Sequence, residues 1–312
     1  MAHNNFPAVA LFIFNRPNLT ARVFESVRAT RPKYLLVVAD GPRSTRREEA
    51  QLCKEARSIV ARPDWPCELA LNFSEENLGC KRRVSSGLDW VFQSCPEAII
   101  LEDDCVPSAS FFRFCAALLE YYRDDPRIMH ISGDNFQDGI QRGEGSYYFS
   151  KYPHTWGWAT WRRAWTHYDV SLSSWPLVKR EPWLQSKIED PREAQYWTDI
   201  FDAVYSGEID TWDYQWVYAC WRQGAFSVLP NQNLVTNIGA GPDATHIKQG
   251  HSTLNLPATE LSAWKHPGQV AIDRDADRYT FDNHIAGPSV PKRIEWLKRI
   301  KRRISRPIRH GP

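Results

Sequence analysis

Glu102, Asp103 and Asp104 follow one another directly behind the apolar run Ile99-Ile100-Leu101. Three adjacent carboxylates repel, and a chain shaped only for stability gains nothing by gathering them at a strand end, so a cation is expected to neutralise them. Oxygen-only ligation suits Mg2+ or Mn2+, ions that bridge to phosphate oxygens. Side chains alternate along an extended chain, which would send Glu102 and Asp104 to one side and Asp103 to the other, dividing the acids between a metal and a ribose hydroxyl. The plain alternative is a solvated acidic turn capping the next helix.

Further groups could complete such a site. Lys81, Arg82 and Arg83 open a helical stretch behind Asn77-Leu78-Gly79, where backbone amides and cations can meet a diphosphate; Arg82 is the expected contact, against a solvated helix face. Ten of the fourteen tryptophans fall between Trp156 and Trp221. In Trp156-Gly157-Trp158-Ala159-Thr160-Trp161 large and small residues alternate, and indole faces stack on the C–H faces of sugars. Trp156, Trp158 and Trp212 are therefore read as substrate-binding residues, against the alternative that they are core. Asp213, in Trp212-Asp213-Tyr214-Gln215-Trp216, is a carboxylate among aromatics and a candidate general base. Its alternative is a helix N-cap, and Asp210 and Asp199 are its rivals. The glycine-rich stretch from Asn237 to His246 is a poor helix or strand and suits a flap.

Elements must bring these residues together. Ala8 to Phe14 is a continuous apolar run stopped by Asn15-Arg16-Pro17, the pattern of a strand buried on both faces. Tyr34 to Ala39 repeats it up to Asp40-Gly41, Leu69 to Phe73 gives a third strand, Ala98 to Leu101 a fourth and Arg127 to Ser132 a fifth. Helical stripes lie between them, at Leu19, Val23 and Val27, at Leu52, Ala56 and Ile59, at Val84, Leu88 and Val91, and from Phe111 to Tyr122. Thr45 to Glu48 has the spacing of a capping box, and Ser108 can cap the fourth helix. Alternating strands and helices predict a mixed, mainly parallel Rossmann-like α/β sheet with helices on both faces. In such sheets ligands bind beyond the carboxyl ends of the strands, which here carry Asn15-Arg16, Asp40-Gly41, Asn77-Leu78-Gly79, Glu102-Asp103-Asp104 and Gly133-Asp134.

Those strand ends give the chain a resemblance. Ile99-Ile100-Leu101-Glu102-Asp103-Asp104 is similar to the Asp-x-Asp signature of nucleotide-sugar-dependent glycosyltransferases of the A-type fold, especially the inverting family-2-like enzymes and the N-acetylglucosaminyltransferase I group. Phe14-Asn15-Arg16-Pro17, Ala39-Asp40-Gly41 and Asn77-Leu78-Gly79 resemble their nucleotide-contacting strand ends, and the likeness spans roughly residues 7 to 250. It implies that Asn15, Arg16, Asp40, Asn77, Gly79, Glu102 and Asp103 meet the nucleotide, beside Arg82 from the helix opening, with Asp40 at base or ribose. It further implies that Asp104 and His246 hold Mn2+ or Mg2+, and that Asp213 removes the acceptor's proton. The Gln-x-x-Arg-Trp element of processive family-2 enzymes is absent, which argues against a membrane polymerase.

Composition sets the frame. The chain has 312 residues, 24% charged and 42% hydrophobic, which excludes disordered, fibrous and membrane-spanning classes. Seven cysteines without a Cys-x-x-Cys pair indicate reduced, mostly buried thiols, and an apolar run too short for a membrane helix, with no basic start before it as in a secretory signal, leads to the expectation of a cytoplasmic protein. The net charge of +2 hides an asymmetry: residues 292–312 hold nine Lys/Arg against Glu295 alone, or +8, leaving −6 on the rest. With Ile294, Leu297, Ile300 and Ile304 at helical spacing, the tail is expected to lie on an anionic membrane surface, the plain alternative being a disordered basic tail; no nucleic-acid-reading motif is present. The expected divisions are 1–135 for the nucleotide-sugar half, 136–255 for the acceptor half, 256–290 as an irregular extension and 291–312 as the basic tail. The function expected is inverting, metal-dependent transfer of a UDP-linked hexose or N-acetylhexosamine to a glycan or lipid-linked glycan hydroxyl. The alternatives are a nucleotidyltransferase making a nucleotide sugar and a non-enzymatic carbohydrate-binding protein.

Overall fold

β1 (Ala8–Ile13) is buried at every position, as a run with no polar face requires. The computed structural model describes residues 6–239 and 253–286. Its first half alternates as the sequence predicts: α1 (Pro17–Thr30), β2 (Tyr34–Ala39), α2 (Glu49–Val60), β3 (Glu68–Phe73), α3 (Gly79–Ser94), β4 (Glu97–Glu102), a short β5 (Cys105–Pro107), α4 (Ala109–Tyr121) and β6 (Ile128–Ser132). The second half is less regular, with β7 (Tyr147–Ser150), β8 (Trp158–Trp161), three short helices α5 (Arg162–Trp165), α6 (Trp175–Val178) and α7 (Trp183–Lys187), then α8 (Pro191–Tyr205) and α9 (Asp213–Arg222). β9 (Phe226–Pro230) and β10 (Val235–Asn237) follow, and within the stretch read as irregular lie α10 (Arg274–Thr280) and a π-turn, Phe281–Ile285.

Eight strands form one mixed sheet in the order β3-β2-β1-β4-β8-β6-β9-β7. β3, β2, β1 and β4 are parallel, β8 runs antiparallel between β4 and β6, β9 is parallel to β6, and β7 closes the far edge antiparallel to β9. β4 and β6 therefore point the same way, and both end at the edge where β8 begins. β5 and β10 make a separate antiparallel pair. The architecture is a Rossmann-like α/β sheet with helices on both faces. Alternate residues of β1 feed two cores: Ala8, Ala10 and Phe12 pack on the side of α3, α8 and α9, whereas Val9, Leu11 and Ile13 pack on the side of α1, α2 and α4.

Two local expectations change. α2 starts after Glu48 without any side-chain cap, so Thr45 to Glu48 is no capping box; Ser108 does cap α4, its hydroxyl accepting from the Phe111 N–H. The tryptophan-rich segment also yields a central strand: every residue of β8 is buried, and Trp158 pairs with Ile100 on one side and Ser132 on the other. Alternation of large and small residues is as much the signature of a strand packed on both faces as of a ligand pocket. Trp158, expected to bind substrate, is thus core, 1% exposed and stacked between His130 and Trp212. All seven cysteines are free, four of them buried. No helix among the described residues is long and apolar enough to cross a membrane. His246 and the tail 291–312 lie outside the described residues.

Candidate active site

The carboxyl ends of the parallel strands open into a cleft of about 1110 Å³. Asn15, Arg16, Asp40, Asn77, Gly79, Glu102, Asp103 and Asp104 line one side, and Trp156, Trp212 and Asp213 line it from the later half of the chain. Trp158 and Arg82 are absent from this lining. Arg82 is exposed, on the solvent face of α3, while its neighbour Arg83 is buried and donates to the carbonyls of Ala39 and Asn72, tying β2 to β3. Helical periodicity decides this: Arg83 falls one position before the apolar stripe Val84, Leu88 and Val91.

β4 stops at Glu102, and Asp103 with Asp104 forms the turn into β5. The alternation expected of an extended chain therefore ends there. Asp103 and Asp104 converge on one guanidinium: Arg16 forms ion pairs with Asp103 and, through Nη1 at 3.0 Å, with Asp104 Oδ2. Pro17 ends the extended chain and begins α1, which fixes Arg16 at the helix entrance. Asp103 also accepts from the Phe14 N–H at 3.2 Å. Burial opposes the charge on Arg16, but Asp103 and Asp104 overcome it and hold its protonation raised. Burial pushes Glu102 up to about 8, helped by the charges of Asp104 and Asp103, and burial likewise raises Asp103 against the pull of Arg16.

Asp40 directly follows β2 and lines the cleft. Its carboxylate accepts from the Gly41 and Leu78 N–H groups at 2.9 Å and from the Gly79 N–H and Asn77 Nδ2 at 3.0 Å. Both oxygens are committed within the protein, so Asp40, Asn77 and Gly79 form a knot that shapes the entrance to α3. Asn15 is also engaged, donating through Nδ2 to Glu49 Oε1 at 2.8 Å. These residues build the wall of the cleft more than they present free groups to it.

Across the cleft, Asp213 is the first residue of α9 and is partly exposed. Its carboxylate accepts from the Thr211 hydroxyl, and α9 has no side-chain cap, so Asp213 is not the N-cap of this helix. Its negative charge contributes to the raised proton affinity of Glu102, which places it in electrostatic reach of the acid turn. Asp199 and Asp210 are not part of the lining.

Sequence reasoning passed over two histidines in the lining, His154 and His284, each bonded to an aspartate: Asp134, which also lines the cleft, and Asp138, which does not. Asp134 follows β6 at the strand-end edge, and that position was visible. Its partner is 20 residues away and no local pattern announces it.

Among the described residues no three His, Cys, Asp or Glu side chains converge as a complete metal cluster. The acid turn nevertheless fits a hard cation of the kind held by one or two carboxylates and completed by substrate phosphates. The Glu102 backbone belongs to the sheet, and its carboxylate makes no hydrogen bond or ion pair among the described residues. Beside Asp104 the backbone is bare at Gly239, where a Cβ would fall 2.2 Å from Oδ2.

No family model matches this sequence, and no curated protein matches it. Among solved structures the chain is similar to a 4-diphosphocytidyl-2C-methyl-D-erythritol synthase from Anaerococcus prevotii, at 7% identity and a TM-score of 0.32 over 52% of this chain and 75% of that one. It is also similar to a UDP-glucose pyrophosphorylase complexed with UDP-glucose, at 8% identity and a TM-score of 0.29 over 51% of this chain and 78% of that one.

Proposed function

We propose that the protein transfers a sugar from a nucleoside diphosphate sugar, of the UDP-hexose or UDP-N-acetylhexosamine class, to a hydroxyl of a glycan or lipid-linked glycan, with inversion. The observation that carries this reading is one cleft with an Arg16-bridged acid turn on one wall and aromatic side chains with a carboxylate, Asp213, on the other. Phosphate needs positive charge, whereas a sugar needs aromatic faces and hydrogen-bonding groups.

In this reading Arg16 contributes N–H donors toward the diphosphate, and Asp104 with Glu102 would hold Mn2+ or Mg2+. Such an ion supplies charge neutralisation for the departing diphosphate. Asp213 takes the proton of the acceptor hydroxyl. The freed oxygen lone pair attacks the anomeric carbon from the face opposite the diphosphate, and the carbon–oxygen bond to the diphosphate breaks with both electrons leaving on UDP. Residues 1–135 would then be the donor half and 136–255 the acceptor half of one site. A nucleotidyltransferase would instead need a triphosphate-binding loop behind the first strand, and here only Phe14, Asn15 and Arg16 separate β1 from α1.

A thermal-shift panel of nucleotides and nucleotide sugars, with and without Mn2+, tests the proposal. UDP or UDP-sugars should stabilise the protein with Mn2+, by about 2.7 kcal/mol at a hundredfold excess over Kd. Asp104→Asn should remove the Mn2+-dependent part and leave the fold intact. Stabilisation by UTP with pyrophosphate release from UTP and a sugar phosphate would favour the nucleotidyltransferase, and glycan binding without any nucleotide binding would favour a carbohydrate-binding protein.

A further inference from the structure

Two histidines in the cleft wall are each held by an aspartate on one ring nitrogen and have no partner on the other among the described residues. His154 Nδ1 lies 2.9 Å from Asp134 Oδ1, and the His154 side chain is 8% exposed. His284 Nε2 lies 3.0 Å from Asp138 Oδ2, and the His284 side chain is 5% exposed. A carboxylate only accepts hydrogen bonds, so in each neutral ring the proton sits on the bonded nitrogen and the other nitrogen is an acceptor. Those nitrogens, Nε2 of His154 and Nδ1 of His284, are buried and have no partner among the described residues.

Between the two rings stands Phe136. It stacks on His154 with centroids 4.6 Å apart, lies 5.8 Å from His284, and meets Trp156 edge-on at 5.2 Å. All four side chains line the cleft that holds the acid turn. A buried acceptor without a donor costs free energy until something supplies the hydrogen. A ligand that relieves this cost at both rings must bring at least two donors and an apolar ring face. A fully ionised phosphate brings only acceptors and supplies no donor to a neutral ring nitrogen.

We propose that Phe136, His154 and His284 form a neutral saccharide subsite, distinct from the charged acid turn, in which a sugar ring lies against the aromatic side chains and donates one hydroxyl to His154 Nε2 and another to His284 Nδ1. Its assignment as the acceptor's subsite rests on the sugar-transfer reading; the saccharide binding itself does not. Asp134 and Asp138 are positioning residues, each fixing the tautomer that leaves an acceptor facing the ligand.

The experiment uses the full chain labelled with 15N at histidine and a panel of methyl glycosides, namely β-glucoside, β-galactoside, α-mannoside and β-N-acetylglucosaminide, with inorganic phosphate as the anionic control. At least one glycoside should shift the ring-nitrogen resonances of His154 Nε2 and His284 Nδ1, and phosphate should shift neither. His154→Asn keeps an amide donor where Nδ1 stood, and His284→Gln keeps one where Nε2 stood; each deletes the free acceptor together with the ring that packs against Phe136. Each should raise the glycoside Kd up to about tenfold, the worth of one neutral hydrogen bond, and leave UDP affinity unchanged. Should the Asn variant fail to fold, the Gln variant carries the test, because Asp138 has a 46% exposed side chain and stays solvated. Glycosides that leave both resonances in place, or folded variants that bind as the wild type does, would overturn the subsite. Histidine-dependent glycoside binding in a protein that binds no UDP would leave the subsite standing and remove the sugar-transfer reading.

Discussion

At the scale of single residues the site is built on carboxylates with different work. Asp40 is spent on backbone and side-chain amides, Asp103 on Arg16, and Asp213 lines the cleft with the Thr211 hydroxyl as its one side-chain partner among the described residues. Asp213→Asn keeps the size and cannot take a proton, so turnover should fall by about 10²–10⁴ while UDP affinity holds. Because α9 has no side-chain cap, the melting temperature should barely move. Steady-state kinetics beside UDP titration checks this, and a variant retaining a third or more of the activity would move the base elsewhere. Arg16→Met tests the ion pair: Asp103 keeps a side chain only 3% exposed and loses its counter-charge, which should cost about 3 kcal/mol in urea unfolding. Adding Asp103→Asn should restore most of that loss, and a double variant no more stable than the single one would show that the pair is not what holds the turn. That the triplet needs a cation was legible from its composition; that a guanidinium 87 residues away supplies one was not.

At the scale of elements, β6 and α9 are joined through a histidine. His130 Nδ1 accepts from Trp216 Nε1 at 3.0 Å, and Nε2 donates to the His154 carbonyl at 2.7 Å. An indole N–H only donates, so this ring is locked neutral and a second proton would meet a donor. Burial lowers His130 to about 3, and its polar surroundings are Ser132, Trp216 and His154, none of them an acid. The unfolded chain therefore takes the proton first. The stability contributed by the neutral ring is complete above pH 6.5 and is lost as pH falls from 6.5 toward 3, by about 1.4 kcal/mol per unit. His130→Gln can accept and donate in the same places without titrating. The wild type's stability relative to this variant should drop by about 2 kcal/mol between pH 7 and pH 5 in urea titrations. A difference independent of pH would mean the ring is not held neutral. The inner parallel strands β1, β2 and β4 were legible because runs buried on both faces have no polar alternation to misread, and the edge strand β3 was legible from the alternation of Leu69, Leu71 and Phe73. β8 was not, because four residues of tryptophan, alanine and threonine do not say whether they pack against protein or against sugar.

At the scale of the whole molecule, charge is divided between an acidic body of −6 and a basic tail of +8. Each basic residue near an anionic bilayer contributes about 1 kcal/mol, so deleting residues 291–312 should greatly weaken co-sedimentation with phosphatidylserine vesicles at low salt. Turnover on a soluble acceptor should be unaffected, and equal partitioning of the two forms would remove the membrane reading. The sequence by itself determined the alternating α/β order, the buried strands and the acidic strand end, because each is a local pattern of polarity read along a few residues. It also marked Asp213 and Trp156, which the fold brings into one cleft with the acid turn. Only the tertiary structure decided which groups remain free. Asp40 and Asn77 proved to be bonded to each other, Arg16 to the acids, Trp158 to lie inside the sheet, and His154 and His284 to keep open nitrogens. The reason is physical: a hydrogen bond joins residues near in space, 37 apart for Asp40 and Asn77 and 146 apart for Asp138 and His284, and nothing in the spacing of one chain records which partner each polar group has taken.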